Sequence, residues 1–247
     1  MDTLFLAWQD PKKKKLFPIG RLISWDKYYQ FNYTKGALIA KKESHFHELA
    51  SFPSLEKVYV SEELFPVFSN RVLPRSRPEY KDYLKWMSVA QGQDDPMLLL
   101  ARSGGKRVTD NLQVFSSPQL DQNGNYFIHF FAEDMDSLSK DSLKSIESLN
   151  VGETLLVNEV QSSGNKKVVL VKGNEMKEPE ILGYLPSFLM ENWVEIIKDG
   201  DWYVSVQGIN LPPAPLQFRL LCRMTFAQHI NFQPFTNEIY QPISSTS

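Results

Sequence analysis

Apolar residues occupy every second position over residues 216–226. Strict alternation of this kind places one set of side chains on one face of an extended strand, and it is the pattern that most constrains how this chain folds. The apolar positions are Leu216, Phe218, Leu220, Cys222, Met224 and Phe226, and the positions between them carry mainly Gln217, Arg219, Arg223 and Thr225. We therefore predict one half-buried strand over 216–226. We expect Cys222 to be a small buried hydrophobe rather than a nucleophile.

Other local patterns predict a mixture of helices and strands. β-rich runs predict a small antiparallel sheet near the N terminus and further strands after residue 110. Asn123-Gly124 is a strong hairpin signal, and we expect it to join a strand at 111–115 to one at 126–131. Helical spacing and capping residues predict helices within 35–50, 65–72, 80–89, 96–102, 139–149 and 187–198. The predicted fold class is α+β.

Cysteine content and hydropathy suggest a cellular location. Cys222 is the only cysteine in the sequence, so an internal disulfide is excluded and a reducing compartment is favoured. No apolar run approaches the 18 or so residues that a membrane-spanning helix needs, and no charged-then-apolar leader is present. We expect a cytoplasmic protein that neither spans a membrane nor is exported.

Charge is distributed unevenly along the chain. Residues 1–107 hold 18 Lys/Arg against 12 Asp/Glu, a net charge of +6, whereas residues 108–247 hold 9 against 17, a net charge of −8. Attraction to a polyanion depends on the sign of the local field, so the basic half is the better candidate for phosphate contacts. The alternative is that the imbalance only marks which faces are solvated.

The sequence carries none of the motifs that identify common catalytic or cofactor sites. Gly104-Gly105-Lys106 continues with an arginine where a phosphate-binding P-loop needs Ser or Thr. His45 and His47 have no cysteine or third histidine nearby to complete a zinc site. No Gly-x-Ser-x-Gly nucleophile motif occurs. We expect no metal, no cofactor and no enzymatic activity, the alternative being an enzyme whose residues meet only in space.

Two segments call for a specific explanation. Arg71, Arg75 and Arg77 gather beside aromatic residues within 61–80, and arginine clusters bind phosphates or carboxylates with planar geometry. Equally, Arg71 can cap the 65–72 helix while all three arginines hold the subdomain together. The second segment is Ile181-Leu182-Gly183-Tyr184-Leu185-Pro186, which by its pattern alone is a strand–turn–helix corner with a glycine needed for packing.

These segments resemble two known families. The 61–80 segment, together with Phe31-Asn32-Tyr33, 49–53 and 98–105, resembles the N-terminal subdomain of HipA-type toxin kinases, over about residues 1–117. The Gly-Tyr-Leu-Pro corner at 183–186 resembles that of a HIRAN domain, over about residues 121–230, followed by a C-terminal tail at 231–247. The combination is similar to bacterial HIRAN-domain-containing proteins.

The resemblance implies a β-barrel-like second domain with two helices, preceded by a small antiparallel sheet with helices. HIRAN relatives attached to helicases bind single-stranded DNA ends, and the HipA-like subdomain implies contact with a kinase core or regulator rather than catalysis. Residues 161–167 read Gln-Ser-Ser-Gly-Asn-Lys-Lys where the HIRAN pattern has Asn-Pro-x-Asp-x-Asn-Ala, so DNA-end recognition is not carried over residue by residue. A HIRAN-like half stands where a kinase lobe would follow, and we expect no kinase activity.

The predicted function is that of a non-catalytic accessory protein in genome maintenance or phage defence. It is expected to bind nucleic acid, in the form of single-stranded DNA or DNA ends. The alternative is a protein–protein regulator, an antitoxin-like partner of a HipA-type kinase. The net charge of −8 favours this alternative for the second domain unless Lys166, Lys167 and Lys172 cluster on one face. The predicted contact residues are Lys12, Lys13, Lys14, Lys15, Arg71, Arg75, Arg77, Lys166, Lys167, Gly183 and Tyr184.

Overall fold

The chain divides into two compact units, each built from segments that are distant in sequence. The first unit comprises residues 1–80, 94–117 and 233–247, and the second comprises 81–93 and 118–232. Residues 81–93 therefore belong to the second unit, and the C-terminal segment belongs to the first. The computed structural model describes residues 2–162, 165–172, 180–190, 192–197, 201–227 and 233–244.

The first unit is built on a five-stranded antiparallel sheet. Its strand order is β4-β3-β2-β1-β5, so the last strand in sequence pairs with the first. The strands are β1 (Asp2–Gln9), β2 (Leu16–Trp25), β3 (Tyr28–Tyr33), β4 (Tyr59–Ser61) and β5 (Leu112–Ser116). The helices that begin in this unit are α1 (Lys35–Ser44), α2 (Pro66–Ser69), α3 (Tyr80–Trp86) and α4 (Pro96–Ser103).

Helix α4 shows how local sequence sets its own boundaries. The Asp95 side chain accepts hydrogen bonds from the backbone N–H of Met97 at 2.7 Å and of Leu98 at 3.4 Å, and so caps the N terminus of the helix. Gly104 ends the helix in the left-handed region with φ of 71°, a conformation that glycine adopts without steric cost.

One face of the first sheet packs on an aromatic core. Phe31 stacks on Phe52 with ring centroids 3.9 Å apart, and the Tyr33 hydroxyl donates to the Phe52 carbonyl at 2.8 Å. The other face is covered by the C-terminal segment, where the Tyr240 ring lies 5.0 Å from the Phe5 ring. The first unit is thus completed by residues that follow the second unit in sequence.

The second unit is built on a seven-stranded antiparallel sheet with the order β10-β9-β8-β11-β12-β7-β6. Its strands are β6 (Gln119–Leu120), β7 (Tyr126–Phe131), β8 (Thr154–Ser162), β9 (Asn165–Lys172), β10 (Glu180–Tyr184), β11 (Trp202–Ile209) and β12 (Leu220–Phe226). Its further helices are α5 (Lys140–Glu147), α6 (Ser187–Met190) and α7 (Trp193–Ile197). The α+β class with two antiparallel sheets is confirmed.

The second sheet is not a closed barrel within the described residues. The segment after β7 meets β10 at one place, where the backbone groups of Glu133 and Tyr184 exchange hydrogen bonds of 2.9 and 3.1 Å. None of the helices in the described ranges combines the length and apolar character needed to cross a membrane.

The Asn123-Gly124 turn forms a hairpin, but with a different first strand from the one predicted. Asp121 to Asn125 connects β6 to β7, and the Asp121 carboxylate accepts from the backbone N–H of Asn123 and Asn125. The expected partner at 111–115 overlaps β5, which pairs with β1 in the first unit. A turn signal sets the sharp reversal, whereas the choice of partner strand depends on contacts far away in sequence.

The predicted strand at 216–226 is correct only in its second part. Residues 216–218 form a 3-10 turn, and Leu216 is 38% exposed instead of buried. Strand β11 ends at Ile209, opposite Leu220, so residues before Leu220 have no ladder to join on that strand. Asn210 holds the turn instead, because its side-chain amide donates to the Phe218 carbonyl at 2.6 Å.

Candidate nucleic-acid interface

The four lysines predicted as phosphate contacts, Lys12, Lys13, Lys14 and Lys15, follow β1 and lead into β2. Lys13 Nζ donates to the Glu43 carbonyl, and Lys15 Nζ lies 2.8 Å from the Glu43 carboxylate. The turn is shaped by Asp10, whose carboxylate accepts from the backbone N–H of Lys12 at 2.7 Å and of Lys13 at 3.0 Å. Two of the four ammonium groups are therefore engaged at Glu43.

Arg71 is buried, and its guanidinium is bonded to other residues of the first unit. Its side chain is only 2% exposed, and its two terminal nitrogens contact both carboxylate oxygens of Asp110. The same guanidinium donates to the carbonyls of Gly105 and Val67, each at 2.8 Å. Arg71 thereby ties α2 to both ends of the loop at 105–110. Its planar donor set is used inside the first unit.

Arg75 and Arg77 each have their own acidic neighbour. Arg75 Nε lies 2.9 Å from the Asp94 carboxylate, which also accepts from the Tyr80 hydroxyl at 2.6 Å. That hydroxyl, together with the charge of Arg75, lowers the pKa of Asp94. Arg77 Nε lies 3.9 Å from Glu79 and is largely exposed. The acidic neighbours reduce the positive charge that these arginines offer to a phosphate.

The corner at Gly183 and Tyr184 lies in a β-bulge of β10. Gly183 has φ of 147°, and a Cβ placed there would lie 2.7 Å from the Ala132 Cβ, so the close approach of two backbones requires glycine. Lys167 Nζ lies 4.7 Å from the centre of the Tyr184 ring and 2.6 Å from the Asp134 carboxylate. One face of the Tyr184 ring is therefore covered. Lys166 belongs to β9, but its side chain lies outside the described part of the structure.

A second candidate surface lies on the outer side of the sheet formed by β7, β12 and β11. The inner side of these strands carries the buried core, and the side chains between those positions point outward. The buried inner positions are Ile128, Phe130, Val204, Val206, Cys222 and Met224. We call the outward residues Phe127, His129, Tyr203, Arg223 and Thr225 the aromatic face.

The strand register arranges the aromatic face in two rows. Tyr203, Thr225 and Phe127 stand opposite one another across β11, β12 and β7. In the next row, Arg223 stands opposite His129. Tyr203 is 49% exposed, whereas Thr225 between the two rings is buried. The row therefore has the exposed Tyr203 ring on β11 at one end and the Phe127 ring on β7 at the other, with β12 between them.

Arg223 joins the two rows electrostatically. Its guanidinium carbon lies 4.3 Å from the centre of the Phe127 ring, the geometry of a cation–π contact. One terminal nitrogen lies 3.2 Å from the Asp121 carboxylate, which anchors the β6–β7 turn to the face. The Phe127 ring in turn meets the His129 ring edge to face at 5.4 Å. The face therefore offers π-systems and a guanidinium side by side.

The alternation of apolar and polar residues predicts Arg223 on the polar side of its strand, but nothing in the sequence brings Arg223 together with Tyr203. The alternation at 202–207 and at 220–226 carried that information for each strand separately. Joining them needs the register of three strands that are distant in sequence.

The described ranges contain no group of three or more His, Cys, Asp or Glu side chains placed to hold a metal ion. Compared with protein families, with curated proteins and with solved structures, the chain matches none. The resemblance to HIRAN and HipA-type proteins stays a prediction.

Proposed function

We propose that this protein is a non-catalytic nucleic-acid-binding protein that holds single-stranded nucleic acid on the aromatic face of its second unit. The observation that carries the proposal is the row of Tyr203, Thr225 and Phe127 beside the guanidinium of Arg223. Bases of a single strand expose their π-faces, and proteins that bind single strands stack them on aromatic side chains and arginine planes.

The spacing of the Tyr203 and Phe127 rings suits an extended single strand of nucleic acid. Tyr203 and Phe127 are separated by one intervening strand, so they stand about 10 Å apart, two strand spacings. The two rings therefore cannot sandwich one base: Tyr203 is the open stacking position, and the Phe127 ring is already in contact with the guanidinium of Arg223. A duplex hides its bases in the stack and cannot use such positions without opening, which favours single strands or frayed ends as ligands.

Stacking rather than phosphate attraction supplies the affinity in this proposal. Residues 108–247 carry a net charge of −8, and Arg223 is paired with Asp121. Each phosphate contact on a single strand contributes about −0.7 to the slope of log affinity against log salt. We therefore expect a shallow slope, near −1, in contrast to the steep slope that a cluster of free lysines and arginines would produce.

The test is binding of a fluorescein-labelled single-stranded oligonucleotide at 50 mM salt, followed by fluorescence anisotropy. Tyr203→Ala should weaken binding by about 5- to 150-fold, the range measured for loss of one stacking partner. Tyr28→Ala is the matched control, since Tyr28 is a similarly exposed tyrosine on a strand of the first unit. Absence of binding by the wild type, or equal losses in the two variants, would overturn the proposal.

A specific observation favours the second candidate function, docking of a HipA-type kinase on the first unit. The loop at 105–110 is held at both ends by Arg71, and it exposes Val108 completely beside Arg107. A loop that is held at both ends and has an apolar tip suits a pocket on a protein partner better than a phosphate backbone. Co-elution with a HipA-type kinase in size-exclusion chromatography, lost in Val108→Asp and kept in Tyr203→Ala, would support this function over nucleic-acid binding.

A further inference from the structure

Five side-chain atoms in the described residues are buried without a hydrogen-bond partner. Two of them, Arg223 Nε and Thr225 Oγ1, lie two residues apart on β12. Both side chains belong to the aromatic face, which is otherwise partly open to solvent. Buried polar atoms are nearly always hydrogen-bonded in native proteins, and an exception is explained by strain, by a functional role or by a water or ion at the site.

Thr225 is the more unusual of the two. It is 2% exposed although it lies on the outer side of the sheet, between Tyr203 on one neighbouring strand and Phe127 on the other. Valine has almost the same shape and would satisfy packing there without an unpaired hydroxyl. The hydroxyl thus belongs to the residue that stands between the two aromatic residues that the proposed function assigns to base stacking.

Tyr203, the cross-strand neighbour of Thr225, has a side chain that can move. Tyr203 is half exposed, and exposed side chains change rotamer on the picosecond to nanosecond scale. A base that stacks on the Tyr203 ring after the ring has moved would bring its edge towards Thr225 Oγ1 and, two residues away on the same strand, Arg223 Nε. A hydroxyl both donates and accepts, whereas a guanidinium nitrogen only donates. The pair therefore suits a base edge that offers a carbonyl oxygen.

We infer that Thr225 and Arg223 read the edge of a base held on the aromatic face, so that the protein prefers bases with a carbonyl oxygen, such as thymine and uracil, over adenine. This inference rests on the proposed function. Stacking alone accepts every base, because every base has a π-face. The two hydrogen-bonding groups add a preference that stacking does not supply.

The experiment compares affinities for labelled oligothymidylate and oligodeoxyadenylate of equal length. The readout is the ratio of the affinity for oligothymidylate to the affinity for oligodeoxyadenylate. The ratio of each variant is compared with that of the wild type, so the difference in base stacking within the two oligonucleotides cancels. In Thr225→Val this preference for thymine should fall about three- to tenfold, as expected for loss of one hydrogen bond. Thr225→Ser keeps the hydroxyl and should retain most of the preference.

Folding is monitored separately by thermal melts. Thr225→Val removes a buried hydroxyl that has no partner, so its Tm should not fall below that of the wild type. Thr3→Val, the same substitution on a strand of the first unit, is the matched control and should leave the ratio unchanged.

The outcomes separate this inference from the function on which it rests. If Thr225→Val leaves the ratio unchanged while Tyr203→Ala still weakens binding, the reading of base edges is wrong and single-strand binding stands. If Thr225→Val weakens both oligonucleotides equally and lowers the Tm, its role is structural and the inference fails. If the wild type binds neither oligonucleotide, both proposals fall together.

Discussion

Arg71 and Asp110 form a two-point ion pair inside the first unit. Arg71 Nη1 lies 3.1 Å from Asp110 Oδ1, and Nη2 lies 2.7 Å from Oδ2. The carboxylate also accepts from the Leu112 backbone N–H at 3.0 Å, which places the pair at the start of β5. A residue predicted equally as a phosphate contact or as structural support thus has its donors occupied within the fold.

The first prediction concerns this pair. Arg71→Gln should lower the free energy of unfolding by about 3–5 kcal/mol, because it leaves a partly buried carboxylate without its cation. Urea denaturation followed by circular dichroism measures the change. Arg77→Gln is the control, since Arg77 is exposed and 3.9 Å from Glu79, and it should cost less than about 1 kcal/mol. Unchanged stability in Arg71→Gln, with weaker nucleic-acid binding, would instead assign Arg71 to the ligand.

The second prediction distinguishes the two parts of the alternating segment. Phe226 is buried on β12, so Phe226→Ala should destabilise the protein by about 3–5 kcal/mol. Phe218 lies in the 3-10 turn and is only partly buried against the rings of Trp86 and Phe131. Phe218→Ala should therefore cost less. Urea denaturation measures both changes. If Phe218→Ala lowers the free energy of unfolding as much as Phe226→Ala or more, the turn at 216–218 packs as tightly as the strand.

The third prediction is a pH dependence at Tyr33. Burial raises the pKa of its hydroxyl from 10.0 to about 12. The folded state thus keeps the proton more tightly than the unfolded state. This stabilisation is complete below pH 10 and is lost as the pH rises through 12, and it amounts to about 3 kcal/mol.

Urea denaturation between pH 8 and pH 12 tests this dependence against Tyr33→Phe. The variant should be less stable at pH 8, because it loses the hydrogen bonds to the Phe52 carbonyl and from the Leu49 N–H. The gap between wild type and variant should narrow above pH 10. A constant gap up to pH 12 would contradict a raised pKa.

The fourth prediction concerns the C-terminal segment. Tyr240 is buried, and its ring lies 5.0 Å from Phe5 and 5.2 Å from Phe235. Tyr240→Ala should destabilise the first unit by about 3 kcal/mol, since it opens a cavity among aromatic rings. Glu238→Gln on the same segment breaks only an exposed pair with Lys35 and should cost less than about 1 kcal/mol. Equal melting temperatures for Tyr240→Ala and wild type would show that the segment does not support the sheet.

Local sequence was sufficient to predict helix ends, turns and the buried face of a strand, because these features depend on residues that are close together in the chain. Asp95 and Gly104 set the two ends of α4, and Asn123-Gly124 set the reversal into β7. The alternating apolar positions from Leu220 to Phe226 set the buried face of β12. Caps, turns and alternation act over a few residues, so their patterns predict structure directly.

Only the tertiary structure decided which segments meet. It paired β5 with β1 rather than with the hairpin, ended β11 opposite Leu220, and placed Asp110 against Arg71. It also brought Phe127, Tyr203 and Thr225 into one row from three separate strands. Strand partners and ion pairs are selected by the free energy of contacts between residues far apart in the chain, which no local pattern records. The alternation could therefore place Thr225 on the polar side of a strand, but its burial between two rings is a property of the folded sheet.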